Sequence, residues 1–187
     1  MNKSKFTVQK IDFIAVLAAI VCVVTFFRFP LLGSKVHLAN AMCLLSGLLL
    51  GGVPGGLAAG IGSALYDALY GGYDIIQVAI TFISKFLMAW VCAGIAFSGG
   101  SQAKNHGKNI AASIIGALTY VVLYMLKTFV YQKFVYGYPM DAVWITMGSK
   151  LPGSLINALA AMIVAPILYS ALSAALQRAH LLDKMRK

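Results

Sequence analysis

The chain has 187 residues, of which 60% are hydrophobic and only 11% charged, with a mean hydropathy of +0.85. Soluble domains average about a quarter charged residues, so this composition argues against a water-soluble fold and for an integral membrane protein. The net charge of +10 does not make a nucleic-acid binder, because the basic residues are spread over termini and loops without interleaved aromatics.

Pro, Gly and charged residues divide the hydrophobic sequence into six predicted spans, about 11–29, 37–53, 55–72, 76–98, 109–136 and 142–176. The fold class expected is all-α: a six-transmembrane-helix bundle forming one domain over residues 1–187. The first span follows Lys3, Lys5 and Lys10 and ends at Arg28-Phe29-Pro30 without an A-x-A-like cleavage site, so it reads as a retained helix and not a signal peptide. A turn at Val53-Pro54-Gly55 joins the second and third spans as a tight antiparallel hairpin. Along the third, Gly52, Gly56, Gly60, Ala64, Ala68 and Gly72 recur every four residues, with Gly55, Ala59 and Ser63 one step behind. Such a stripe is a poor helix in water and a good one where the solvent enforces helix and neighbours must come close. The third span is expected to be short or broken near its outer end. The last is too long for one straight crossing, and Pro152 and Pro166 predict an extended outer segment followed by a kinked or divided helix.

An even number of spans puts both termini on one side. That side holds Lys3, Lys5, Lys10, Lys104, Lys108, Arg178, Lys184, Arg186 and Lys187, nine of the fifteen basic residues, whereas the opposite loops offer Arg28, Lys35 and Lys133. The positive-inside rule therefore predicts cytoplasmic termini in the cell membrane of a prokaryote.

On this topology the remaining polar residues gather in the outer half of the membrane: Asn40 on the second span, Asp67 and Tyr70 on the third, Gln77, Thr81 and Lys85 on the fourth. Tyr124 and Lys127 follow on the fifth, and Trp144, Lys150 and Asn157 on the sixth. Gln77, Thr81, Lys85 and Met88 share one helical face, and Tyr120, Tyr124, Lys127 and Tyr131 another. These residues are the candidate substrate site of an outward-facing pocket. An ammonium at membrane depth is costly and faces a cavity or a partner, so Lys85, Lys127 and Lys150 should point inward. Two readings of Lys85 stand side by side, a structural pair with Asp67 and a contact to a ligand carrying a carboxylate, phosphate or electron-rich carbonyls. Lys127 has a snorkelling alternative, and Tyr or Trp near span ends an interfacial one.

The pattern is not that of an enzyme. No phosphate-binding loop G-x-x-x-x-G-K-[ST] and no H-E-x-x-H occurs, and His37, His106 and His180 are far apart in the sequence. No cofactor or metal site is indicated, since Cys22, Cys43 and Cys92 fall singly within apolar spans and read as packing residues. A self-contained transporter or channel should show an internal repeat or polar residues in both membrane halves, and a membrane enzyme should show converging acid and base groups.

The stretch VHLANAMCLLSGLLLGGVPGGLAAGIGSALYDAL, a short second span running through a glycine-rich third span to an aspartate, resembles the S component of energy-coupling factor (ECF) transporters. The resemblance covers essentially the whole chain. It implies a substrate-binding subunit that captures a vitamin or related micronutrient, riboflavin-like or pantothenate-like, outside the cell. It further implies ATP-driven uptake through a transmembrane coupling subunit and two ATPase subunits, with the S component toppling in the bilayer. In that family an A-x-x-x-A motif on the first helix contacts the coupling subunit, and Ala15 and Ala19 match it.

Overall fold

The computed structural model describes residues 8–31 and 34–186; Lys3, Lys5 and Lys187 of the charge argument lie outside the described residues. The elements, in order, are α1 (Val8–Phe26), β1 (Arg28–Leu31), β2 (Ser34–His37), α2 (Ala39–Leu50), α3 (Gly52–Tyr66), α4 (Ile75–Ala96), α5 (His106–Val130), α6 (Met140–Arg178) and α7 (Leu182–Arg186). Single π-helical turns continue α3 through Asp67–Gly71 and α5 through Tyr131–Val135. Four of these helices, α1, α4, α5 with its π turn, and α6, are long and apolar enough to cross a membrane.

The helix α2 occupies the centre. It packs against α1, α3, α4, α5 and α6, and every residue of it except Met42 is buried. Twelve residues rise only about 18 Å, well short of the roughly 30 Å hydrocarbon thickness, so this helix is wrapped by protein instead of facing lipid. The predicted second span over 37–53 is thus shorter than expected. Its first residue belongs to β2, an antiparallel strand pairing Arg28 with His37 and Phe29 with Val36 across the hairpin.

The α2–α3 junction differs from the sequence reading. Val53, Pro54 and Gly55 lie inside α3, and the reversal is made by Gly51 alone, with φ 75° and ψ 176°. Only glycine tolerates that backbone conformation at low cost, so one residue replaces a three-residue turn. Beyond it, the small residues of α3 serve three neighbours. A Cβ on Gly55 would lie 2.7 Å from the α2 backbone at Ser46 and Gly47, and one on Gly62 would strike the Ala18 carbonyl and come within 2.8 Å of Val21 Cβ on α1. Gly56 and Gly60 instead receive the rings of Phe86 and Phe82 from α4. The ends of the stripe do not share in this, since a Cβ on Gly52 or Gly72 would meet nothing within 4 Å.

The last helix also departs from expectation. There is no extended outer segment: α6 runs unbroken for 39 residues with Pro152 and Pro166 inside it. Each proline leaves one carbonyl of the preceding turn without its amide donor, a local loss that a long helix packed against α2 and α5 can absorb. At about 58 Å it exceeds any bilayer thickness and must project from it or tilt strongly.

At the end of the molecule where α2 finishes, α7 closes the bundle. Leu182 and Met185 are buried there. Arg186 donates to the carbonyls of Leu48, Leu49 and Gln102 and to the Tyr169 hydroxyl, at 2.8–3.3 Å. Its guanidinium also lies 5.1 Å from the Phe97 ring centroid. The charged fork thereby satisfies α2 carbonyls that the helix end leaves without intrahelical donors.

Candidate functional site

Because α2 begins only at Ala39, the space above its N-terminus is left to side chains from the elements around it. The result is a pocket of about 250 Å³, partly open to solvent. Its helical walls are Thr81, Ser84 and Lys85 on α4, Tyr120, Tyr124 and Lys127 on α5, and Lys150, Ser154 and Asn157 on α6. Ser84 and Lys85 follow Thr81 by three and four residues, and the α5 and α6 sets step by four and three, spacings that put side chains on one helix face. The remaining lining comes from Thr25, Arg28, His37, Ala39, Ser63, Asp67 and Tyr73.

Seven of the sequence-predicted residues meet here: Asp67, Thr81, Lys85, Tyr124, Lys127, Lys150 and Asn157. Asn40 lies directly behind the wall, 1% exposed, and accepts a hydrogen bond from Lys85 Nζ. The other three stand outside. Gln77 is used at the start of α4, where its amide and side chain donate to the Asp74 carboxylate at 2.9 and 2.8 Å. Tyr70 is exposed and packs on Phe26 at 4.7 Å between ring centroids, and Trp144 is exposed beside Phe129 at 6.4 Å. Exposed tyrosine and tryptophan at span ends, apolar in body and polar at the tip, suit a membrane interface better than a pocket wall. Of the two helical faces, Met88 is a fully buried core residue and Tyr131 packs on Tyr136, so each face enters the pocket for only part of its length.

Lys85 is the most enclosed cation, 4% exposed. Its ammonium lies 3.5 Å from the Tyr120 ring centroid in addition to its bond to Asn40. Aromatic face and amide oxygen therefore take the place that the sequence reading offered to Asp67. Lys127 lies 5.5 Å from the centroid of Tyr73, and Arg28 lies 4.8 Å from that of Tyr66. Four cations, Arg28, Lys85, Lys127 and Lys150, thus line the pocket together with one carboxylate, Asp67.

Several lining residues carried no sequence signal. His37, Ser154 and Arg28 come from a hairpin and a helix face whose relative placement depends on the fold; His37 N–H donates to Asn157 Oδ1 at 2.8 Å, fastening β2 to α6. Burial, with Lys85 and Arg28 nearby, holds the His37 imidazole down at about 3, so it is neutral.

A family model described as ECF-type riboflavin transporter, S component, matches residues 5–174. The chain belongs to this family. It is the substrate-binding subunit of an ECF transporter, a transport protein of the membrane and not a member of an enzyme family. A solved structure described as the S component of a bacterial ECF transporter superposes with a TM-score of 0.69 at 21% identity, covering 90% of this chain and 97% of that one. That likeness establishes the S-component fold. No curated protein sequence matches the chain. In this S component the pocket at the start of α2 and the clasp of α7 lie at opposite ends of the same short helix, so the basic loop carrying Lys104 and Lys108 is remote from the pocket.

Proposed function

We propose that this S component captures a riboflavin-like vitamin from outside the cell and hands it to partner subunits for ATP-driven uptake. The observation that supports this is a single pocket in which tyrosines and cations are mixed. Tyr120 and Tyr124 lie near-parallel at 6.1 Å between centroids, and Lys85, Lys127 and Lys150 share their walls. Flat aromatic surfaces suit a ring system, and ammonium donors suit its carbonyl oxygens. The name of the matching family points the same way. A pantothenate-like acid is the second reading, favoured by four cations against one carboxylate.

Titration of the purified protein with riboflavin, read by quenching of flavin fluorescence, should give a Kd below about 1 μM, equivalent to about −8 kcal/mol. Pantothenate measured by calorimetry should bind at least a hundredfold more weakly. The reverse order would transfer the assignment to the acid.

Orientation and coupling belong to the same proposal. The pocket faces outward if the termini and the Lys104 loop are cytoplasmic, so a cysteine at position 104 should resist an impermeant thiol reagent in whole cells. The partners are a transmembrane coupling subunit and two ATPase subunits. Ala15 and Ala19 are exposed on α1 whereas Ala18 between them is buried, which leaves a low-relief face that a foreign helix can approach closely. Tryptophan at both positions should preserve binding and abolish uptake in cells containing the whole transporter; normal uptake would remove this face from the coupling surface.

A further inference from the structure

Two lining groups stand apart from the rest of the pocket. Ser154 is 4% exposed, and its Oγ is buried without a hydrogen-bond partner; the same is true of Nδ1 of His37. For a hydroxyl on a helix this is unusual, because serine and threonine ordinarily donate to the carbonyl three or four residues back. Thr25, Thr128 and Thr146 all do so here, at 2.7, 2.9 and 2.8 Å. A buried polar atom left unpaired costs free energy, and such atoms in native proteins call for an explanation.

The two groups are brought to the same part of the pocket. His37 is tied through its backbone amide to Asn157, and Ser154 lies one turn before Asn157 on α6. The cations of the lining can only donate hydrogen bonds, whereas a neutral imidazole and a hydroxyl each offer a donor and an acceptor. A ligand edge that presents a carbonyl oxygen next to an N–H needs both kinds of partner.

We propose that His37 and Ser154 form a specificity-determining pair that hydrogen-bonds an amide or imide edge of the ligand, with Asn157 positioning His37 through its backbone. The proposal rests on the vitamin-binding reading and deepens it, since in a flavin the matching edge is the imide of the pyrimidine ring. The charged and aromatic groups then hold the remainder of the ligand, while this pair distinguishes it from rings of similar size.

The test compares wild type, Ser154→Ala and His37→Phe, using riboflavin and 3-methylriboflavin, which lacks the imide N–H, together with melting of the ligand-free protein. Riboflavin affinity should fall five- to twentyfold in each variant, and ligand-free melting should stay level or rise, because the deleted polar atom had no partner to lose. Wild type should bind the methylated compound about tenfold more weakly than riboflavin, with that preference lost in His37→Phe. Riboflavin affinities within twofold of wild type in both variants, equal wild-type binding of the two flavins, or a drop in ligand-free melting would each overturn the proposal. Failure of wild type to bind riboflavin would instead sink the flavin reading. The pair would then stand or fall on melting, with an unchanged or raised value supporting it and a lowered value refuting it.

Discussion

Replacing Lys85 with methionine tests which group the buried ammonium depends on. Lys85 and Asn40 are 4% and 1% exposed and bonded to each other, so removing either leaves a different defect. Asn40→Leu strands an ammonium with only the Tyr120 ring as partner; an unpaired buried charge costs about 3–5 kcal/mol, less about 2 kcal/mol for a desolvated cation–π contact. The expected loss is therefore about 2 kcal/mol. Lys85→Met leaves the Asn40 oxygen without its donor, about 1–3 kcal/mol, partly offset because the ammonium no longer has to be kept out of water. In the double variant neither defect remains, and a coupling energy of about 1.5–2 kcal/mol should appear between the two positions. The parallel cycle of Lys85→Met with Asp67→Leu should show the smaller coupling, under about 0.5 kcal/mol, since no hydrogen bond or close ion pair joins those two residues and only a longer-range attraction is left. Equilibrium unfolding in mixed micelles measures the three single and two double variants against wild type, and riboflavin titration of the folded ones separates stability from binding. Larger coupling to Asp67 than to Asn40 would refute the reasoning and restore the structural ion pair.

Gly62→Val should cost about 3 kcal/mol or prevent purification of monodisperse protein, because the added carbons meet the α1 backbone at Ala18. Gly52→Ala, with open space around it, should instead be neutral or stabilising by about 0.5–1 kcal/mol through the unfolded chain. Arg186→Ala should lower stability by about 2–3 kcal/mol, and Arg186→Lys should recover little, since a single ammonium cannot span four acceptors on α2, the α4–α5 loop and α6. A melting series from pH 7.5 to 4 should show an acid-side loss that disappears in His37→Phe. The folded imidazole is depressed to about 3 from 6.5, so its contribution is complete above the unfolded value and is lost progressively as pH falls from about 6.5 toward 3. Equal acid sensitivity in wild type and variant would show that protonation of His37 is not resisted by the fold.

Much of this S component was legible without coordinates, for identifiable reasons. Membrane residence follows from composition, because a hydrocarbon solvent admits few charges whatever the tertiary arrangement. The lysines Lys85, Lys127 and Lys150 could be placed in a pocket for the same reason, and helical spacing grouped Thr81 with Lys85 and Tyr124 with Lys127. What the linear pattern does not contain is the centre of the bundle. An apolar run such as 37–53 looks the same whether it faces lipid or protein, and only packing shows that α2 is short and surrounded, which is what makes room for the pocket. The same limit explains Tyr70 and Trp144, since an aromatic residue at a span end has identical sequence context whether it turns inward or toward the interface. Partners were equally out of reach: Asp67 was the carboxylate available to Lys85 by charge, but Asn40 and Tyr120 take it by proximity. His37 and Ser154 are ordinary in sequence and meet only because a backbone hydrogen bond holds β2 against α6. Periodicity and solvent preference act locally along the chain, whereas contact between distant segments is decided by how helices of unequal length fill a common volume.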